Sequence, residues 1–185
     1  MFQEAGGAVP DRNVERMLRN TFIPVPAGDT RRMDLVVPGL NVARGLTLFC
    51  DVTVLCPLTT SGAPRPGASN VGGSLLSAAT RENNATYADV TSSGLGVLYS
   101  LGAEVFGRWS CEACELLEEL ARERTRGLNS RLRRSTALGL LHRWAGILGI
   151  GLQRGVCRIL ANRGGEDLDS QWLEPSVHLA DLALA

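Results

Sequence analysis

The sequence predicts an α/β fold in which a small mixed sheet lies between helices. Short apolar runs rich in β-branched residues alternate with longer stretches whose apolar residues recur at helical spacing. The predicted order is helix, strand, strand, helix, strand, helix, helix, which is typical of a sheet covered by helices. The chain has 185 residues, enough for one domain with a substantial core.

The composition carries no global acidic or basic signal, because 19 basic and 19 acidic residues give a formal net charge of zero. All the basic residues are arginine, which fits either codon bias or bidentate contacts to nucleic acid. The five cysteines have no disulfide-scaffold spacing, and no basic-then-apolar leader is visible. We therefore expect reduced thiols and an intracellular location. The longest apolar run, residues 144–152, is too short to span a membrane, so we expect no membrane partner.

The first half of the chain predicts a helix, then a two-stranded hairpin, then a loop. Asp11 is a suitable N-cap for a short helix reaching about Asn20. Residues 33–37 and 46–55 are apolar and strand-like, and turn-forming Pro-Gly and Arg-Gly pairs lie between them. Residues 59–73 are rich in glycine, proline, serine and threonine, which predicts a loop.

The second half predicts helices around one further strand region. Residues 74 to about 92 have apolar side chains at helical spacing, and residues 95–100 and 103–106 have strand character. Serine N-caps predict two further helices, Ser110 to about Arg124 and Ser130 to about Asn162. Glycines in the last of these helices weaken it and would allow a break.

The elements group into three predicted segments. Residues 1–30 form an N-terminal extension with the short helix, and residues 31–163 form the core with its C-terminal helices. Residues 164–185 form an acidic tail.

Two aspartates interrupt the apolar hairpin. A carboxylate buried in a strand is costly unless it is paired or bound to a metal ion. Alternation puts Asp51 and Thr53 on one face, and a hairpin centred near residue 41 or 42 puts Asp34 close to Asp51. Two such carboxylates can share a Mg²⁺ ion that activates water for phosphodiester cleavage. Alternatively, both aspartates are structural and pair with Arg31, Arg32 or Arg44.

Three segments of the chain carry a resemblance to a known family. They are Arg31-Arg32-Met33-Asp34-Leu35-Val36, Phe49-Cys50-Asp51-Val52-Thr53-Val54 and Ala103-Glu104-Val105-Phe106-Gly107-Arg108-Trp109. Together they resemble the PD-(D/E)xK restriction-endonuclease-like domain that follows the reverse transcriptase in some non-LTR retroelement polyproteins. The resemblance runs from about Gly6 to Asn162.

This resemblance implies a restriction-endonuclease-like fold and Mg²⁺-dependent cleavage of DNA. Asp34 and Asp51 match the metal-binding acids, and Thr53 stands where the family has a lysine. Some members carry that lysine on the following helix, where Arg81 is the nearest cation. Glu104 matches a family glutamate in the strand-to-helix segment. Threonine supplies no positive charge and arginine cannot act as a base, so the departure predicts reduced or lost cleavage.

Arginines cluster after residue 120. Glu123 is the only acid between residues 122 and 163, and this basic half of a neutral chain is typical of a phosphate-binding face. The alternative is a solvated helix junction in which Glu118 and Glu119 pair some of these charges. The residues expected to contact nucleic acid are Arg122, Arg124, Arg126, Arg131, Arg133 and Arg134.

Cysteine and glycine patterns give no cofactor site. Cys111 and Cys114 have zinc-ligand spacing, but a single CxxC supplies half a site, and the same spacing fits two small buried residues on one helical turn. No glycine-rich phosphate loop is present in the sequence. We therefore expect no small-molecule cofactor.

The function predicted from the sequence is that of an endonuclease-like domain of retroelement origin that uses Mg²⁺ to cleave DNA. The missing lysine leaves open whether that activity is kept, reduced or lost. A nuclear location follows from that prediction. Two alternatives stay open: a non-catalytic nucleic-acid-binding remnant, and a structural or interaction module without a nucleic-acid partner.

Overall fold

The computed structural model of the chain describes residues 1–8 and 16–163. Two compact units are present, one spanning Met1–Gly149 and the other beginning at Ile150. In chain order the elements are β1 (Arg16–Met17), β2 (Arg32–Met33), β3 (Leu35–Val37), β4 (Thr47–Leu55), α1 (Ser74–Thr86), α2 (Ala88–Ser92), β5 (Gly96–Glu104), α3 (Cys111–Thr125) and α4 (Ser130–Arg163), with 3₁₀ turns at Leu18–Asn20 and Val42–Gly45. Of the second unit, the described residues are the last part of α4.

Three strands form a mixed sheet in the order β3-β4-β5. Strands β3 and β4 are antiparallel, with Leu35 opposite Cys50, so the hairpin is centred between residues 42 and 43, next to the predicted residue 41 or 42. Strands β4 and β5 are parallel, with Asp51 opposite Ser100, and α1 and α2 form the connection between them. The predicted α/β class, a small mixed sheet flanked by helices, is confirmed.

One face of the sheet is covered by α3 and by the part of α4 that lies in the first unit. Leu48 and Cys50 of β4 share a buried cluster with Leu116 and Leu120 of α3 and with Trp144 of α4. These side chains alternate along β4 with those that point to the opposite face, as the sequence pattern predicts.

The opposite face of the sheet is covered by the α1–α2 region and by chain that precedes β2. Phe49 is fully buried there in a cluster that includes Tyr87 and Val90. Leu18 and Ile23 belong to the same cluster. The segment predicted as an N-terminal extension therefore contributes side chains to the core.

The predicted helix from Asp11 to Asn20 is wrong where the structure describes it. Arg16 and Met17 form β1, which pairs with β2, and the next three residues form a 3₁₀ turn. The Leu18 amide donates to the Arg31 carbonyl at 2.9 Å, so pairing with a distant segment replaces helical hydrogen bonds. Residues 11–15 lie outside the described residues, as does the predicted acidic tail over 164–185.

The helix predicted over residues 74–92 breaks at Tyr87 into α1 and α2. The break allows the Tyr87 side chain to enter the core, where it is 8% exposed. The two segments predicted as strand, residues 95–100 and 103–106, contribute to one continuous strand, β5, which ends at Glu104. A tight turn follows, in which the Gly107 amide donates to the Glu104 carbonyl at 2.8 Å.

Side-chain caps begin both C-terminal helices. The Ser110 hydroxyl accepts from the Ala113 amide at 3.2 Å, so the predicted cap of α3 is confirmed. Asn129, rather than the predicted Ser130, caps α4, because its Oδ1 accepts from the Arg131 amide at 3.0 Å. Helix α4 continues without a break through its glycines. No helix in the described part of the chain is long and apolar enough to cross a membrane.

Gly96 lies so close to Phe49 that a side chain cannot be added without moving the aromatic ring. A Cβ at position 96 would lie 2.4 Å from Phe49 Cε2, and the ring is fully buried. We expect Gly96→Ala to lower the free energy of unfolding by about 1–3 kcal/mol in urea denaturation. In a Phe49→Leu background the same substitution should cost less, and an equal cost in both backgrounds would contradict this packing explanation.

Candidate functional site

Asp51 lies at the centre of a polar cluster between the sheet and α1. Its Oδ2 accepts from Asn83 Nδ2 at 2.7 Å and from the Thr53 hydroxyl at 3.4 Å, and its Oδ1 accepts from the Tyr87 hydroxyl at 3.2 Å. Asn83 Nδ2 also donates to Ser100 Oγ on β5 at 2.9 Å. We call these five residues the Asp51 cluster. Asp51 and Thr53 lie on one face of β4, as strand alternation predicts.

Tyr87 holds this cluster from the break between α1 and α2. Its hydroxyl lies 2.7 Å from the Arg32 carbonyl and 3.2 Å from Asp51 Oδ1. Burial, followed by the negative charge of Asp51, raises the pKa of Tyr87 to about 12. The phenol therefore stays protonated at neutral pH and acts as a hydrogen-bond donor rather than as a base.

Asp34 lies at the edge of β4, in the break between β2 and β3. Its Oδ2 accepts from the Val52 amide at 2.6 Å, so the carboxylate takes the place of a strand carbonyl. After burial, which is the largest cause in both cases, its charge helps to raise the pKa of Cys50 on one face of the sheet and of Tyr87 on the other. Extending the β3–β4 register by one residue puts Asp34 opposite Asp51, with Cα atoms about 5 Å apart.

Arg31, one of the arginines that could pair with Asp34 or Asp51, has other partners. Its guanidinium binds the carboxylates of Asp29 and Asp89 and the carbonyl of Thr86. The side-chain hydrogen bond from Arg31 lowers the pKa of Asp29, and these two carboxylates raise the pKa of Arg31. Arg31 thus joins the chain before β2 to the α1–α2 break that carries Tyr87.

Two predicted catalytic residues lie away from the Asp51 cluster. Arg81 is exposed on α1 and lies two residues before Asn83, which is about 200° around the helix. Glu104 is four residues beyond Ser100, roughly 13 Å along β5. It is buried and pairs with Arg108 at 3.5 Å. The structure therefore brings Asp34, Asp51 and Thr53 together without Arg81 or Glu104.

Much of the lone-pair capacity of the two carboxylates is already used by hydrogen bonds. Asp51 Oδ2 accepts from Asn83 and Thr53, Asp51 Oδ1 accepts from Tyr87, and Asp34 Oδ2 accepts from a backbone amide, whereas Mg²⁺ takes oxygen ligands in near-octahedral geometry. Among residues 1–8 and 16–163, no group of three or more His, Cys, Asp or Glu side chains is placed to hold a metal ion. Mg²⁺ binding by Asp34 and Asp51 stays a prediction, for which Asp51 Oδ1, with one hydrogen bond accepted, keeps a second lone pair.

Asn83 and Ser100 are the members of the cluster that sequence reasoning does not find. The sheet-facing side of α1 carries Leu76, Asn83 and Tyr87, at positions i, i+7 and i+11. Residues at this spacing lie on one helical face, so a polar residue between two apolar ones is the sequence signal that could have identified Asn83. Ser100 is 1% exposed, and a buried serine in an apolar strand carries little signal of its own.

Three of the six predicted nucleic-acid-binding arginines are used within the helix junction. Arg122 pairs with Glu118, and Arg126 pairs with Glu123. Arg133 Nη2 donates to the carbonyls of Arg126 and Leu128 at 3.1 and 3.2 Å, which satisfies the C-terminal end of α3. We call these three the paired arginines: two form ion pairs at the C-terminal end of α3, and Arg133 joins α4 to that end. The pair between Arg122 and Glu118 is of the kind that the solvated-junction alternative predicts.

The other three, the exposed arginines, present their guanidinium groups to solvent. Arg124, Arg131 and Arg134 are exposed, and none forms an ion pair with a residue in the described part of the chain. Arg131 and Arg134 are three residues apart and therefore neighbours on α4. Because α3 packs on the face opposite the Asp51 cluster, the exposed arginines and the aspartates lie on different sides of the sheet.

The five cysteines are free thiols, of which Cys50 is buried and the others are exposed. Burial, then the charge of Asp34, raises the pKa of Cys50 to about 12, so this thiol stays protonated. Cys111 and Cys114 are exposed in the first turn of α3, rather than buried there, and burial is the largest cause that raises the pKa of Cys114. Cys114 therefore lacks the lowered pKa of a reactive thiol.

Comparisons with known proteins give no relative. No protein-family model matches the chain, and searches of curated proteins and of solved structures found no match either.

Proposed function

We propose that this chain is a nucleic-acid-binding domain that holds the phosphate backbone with Arg124, Arg131 and Arg134 and does not cleave it. The division of the arginine cluster carries the proposal. Two of the six arginines pair with carboxylates and a third donates to backbone carbonyls, whereas the other three are exposed and form no ion pair in the described part of the chain. Exposed guanidinium groups form bidentate, charge-assisted hydrogen bonds with phosphate.

The arrangement of the aspartates supports binding over cleavage. A nucleic-acid backbone bound by the exposed arginines would lie on the side of the sheet opposite Asp51. Both carboxylates already accept hydrogen bonds from the protein, and Asn83 contacts Asp51 where a cationic group would be needed. The resemblance to retroelement endonuclease-like domains fits this proposal if the chain has kept the two aspartates and lost the ability to cleave DNA. Such an origin also implies a nuclear location.

Metal-dependent cleavage is the second candidate function. The observation that favours it is the hydrogen bond from Val52 to Asp34, which fixes the two carboxylates at neighbouring positions. In this function Asp34 and Asp51 would hold Mg²⁺ and Thr53 would lie beside them. Arg81 and Glu104, which are part of the same prediction, would have to act from their distant positions.

Supercoiled plasmid and a labelled DNA duplex, each incubated with and without Mg²⁺, separate these functions. We expect the wild-type chain to bind the duplex and leave the plasmid intact, and we expect Asp51→Ala to bind equally well. Mg²⁺-dependent nicking that Asp51→Ala abolishes would overturn the proposal in favour of the second candidate. A chain that neither binds nor nicks would be a structural or interaction module.

A further inference from the structure

Asn83 Nδ2 sits in a position surrounded by oxygen atoms. Three side-chain oxygens approach this one nitrogen: Asp51 Oδ2 at 2.7 Å, Ser100 Oγ at 2.9 Å and Thr53 Oγ1 at 3.4 Å. They come from two neighbouring strands, and Asn83 reaches them from the helix above. Because an ionised carboxylate can only accept, the amide nitrogen rather than its oxygen must face Asp51.

An amide group cannot satisfy all three oxygens. An NH₂ group has two hydrogens, so it makes the two short hydrogen bonds and leaves the Thr53 oxygen at a longer distance. A carboxylate and two hydroxyls converging on one point are instead ligands of the kind that hard divalent cations accept. Ser100 is 1% exposed, so this position is buried on the side of β5.

We propose that Asn83 Nδ2 occupies a latent divalent-cation site and substitutes for the cation by neutral hydrogen bonding. The site consists of Asp51, Thr53 and Ser100, and Asn83 keeps it closed. This inference goes beyond the proposed function, because it assigns Asn83 a role in the Asp51 cluster that phosphate binding does not use. It also makes Asn83 a positioning residue that links α1 to both β4 and β5.

The test replaces the amide of Asn83 by a carboxylate. In Asn83→Asp, a second carboxylate faces Asp51 at hydrogen-bond distance, which should lower the thermal unfolding midpoint of the cation-free protein. Mg²⁺, Mn²⁺ or Ca²⁺ should then raise that midpoint by several degrees relative to NaCl at equal ionic strength. The wild-type chain should show no such cation-specific rise.

Two further variants serve as controls. Asn84→Asp makes the same charge change at the next residue, which is exposed on α1, and should not respond to divalent cations. The exchange D51N/N83D restores one amide and one carboxylate, so it should recover stability without becoming cation-sensitive.

Three results would overturn the proposal: a folded Asn83→Asp chain that does not respond to cations, an equal response in Asn84→Asp, or an equal response in the wild type. Should Asn83→Asp not fold without cations, Asn83→Ser opens the position without adding charge. It must then show the cation-specific rise, and its absence would contradict the latent site. None of these measurements involves nucleic acid, so their outcome is independent of the proposed function.

Discussion

The triple substitution R124Q/R131Q/R134Q should lower the affinity for duplex DNA by on the order of a hundredfold at low salt. The three side chains are exposed, and none forms an ion pair among the described residues, so their charges are available to neutralise phosphates. Loss of three phosphate contacts should also reduce the slope of log K against log salt by about 2.7. Fluorescence anisotropy of a labelled duplex measures both quantities.

A second triple variant distinguishes the effect of the exposed arginines near the α3–α4 junction from the effect of a lower net charge. R16Q/R65Q/R81Q removes the same number of exposed arginines from elsewhere in the first unit. We expect it to weaken binding only slightly, because those residues do not flank the α3–α4 junction. Equal losses in the two variants would mean that overall charge, and not the junction, governs binding. The paired arginines are unsuitable as controls, because Arg133 joins α4 to the end of α3 and its loss would disturb the junction itself.

Replacement of Trp144 should have the largest effect on stability. Its side chain is 1% exposed within the core cluster of the first unit, and its Nε1 donates to Glu4 Oε2 at 2.7 Å. Trp144→Ala leaves a cavity and should lower the free energy of unfolding by about 3–5 kcal/mol in urea denaturation. The N-terminal turn should loosen as well, because Arg143 and Trp144 together hold Glu4 there.

Two controls define what the Trp144 result means. Trp144→Phe keeps most of the buried surface and loses the hydrogen bond to Glu4, so it should cost about 1 kcal/mol. Trp109→Ala removes the same side chain at a half-buried position and should cost less than Trp144→Ala. A Trp144→Ala chain as stable as Trp109→Ala would contradict the placement of Trp144 in the core.

The parts of the fold that depend on local pattern could be predicted from the sequence. The alternation along β4, the hairpin with β3 and the Ser110 cap follow from residue spacing and short-range hydrogen bonding. The helix expected near Asn20 is wrong because β1 pairs with β2, a contact between residues far apart in sequence. Such long-range pairing overrides local propensity and leaves no mark in the segment itself.

The candidate site was predictable only in part, for a related reason. The proximity of Asp34, Asp51 and Thr53 follows from strand geometry alone. The contact between Asn83 and Asp51 depends on how α1 lies across the sheet, which residue spacing does not determine. The separation of the exposed arginines from the aspartates depends on which face α3 covers after β5, and an amphipathic pattern is the same for either face.

Titration of a labelled DNA duplex with the wild-type chain, over a series of salt concentrations, tests the claim that the exposed arginines bind the phosphate backbone without cleaving it. A companion sample follows duplex integrity in Mg²⁺. We expect log K to fall linearly with log salt with a slope of about −2.7 or steeper, as three phosphate contacts require, and we expect the duplex to stay intact. Binding that is absent at low salt, or a duplex cut only when Mg²⁺ is present, would contradict the claim.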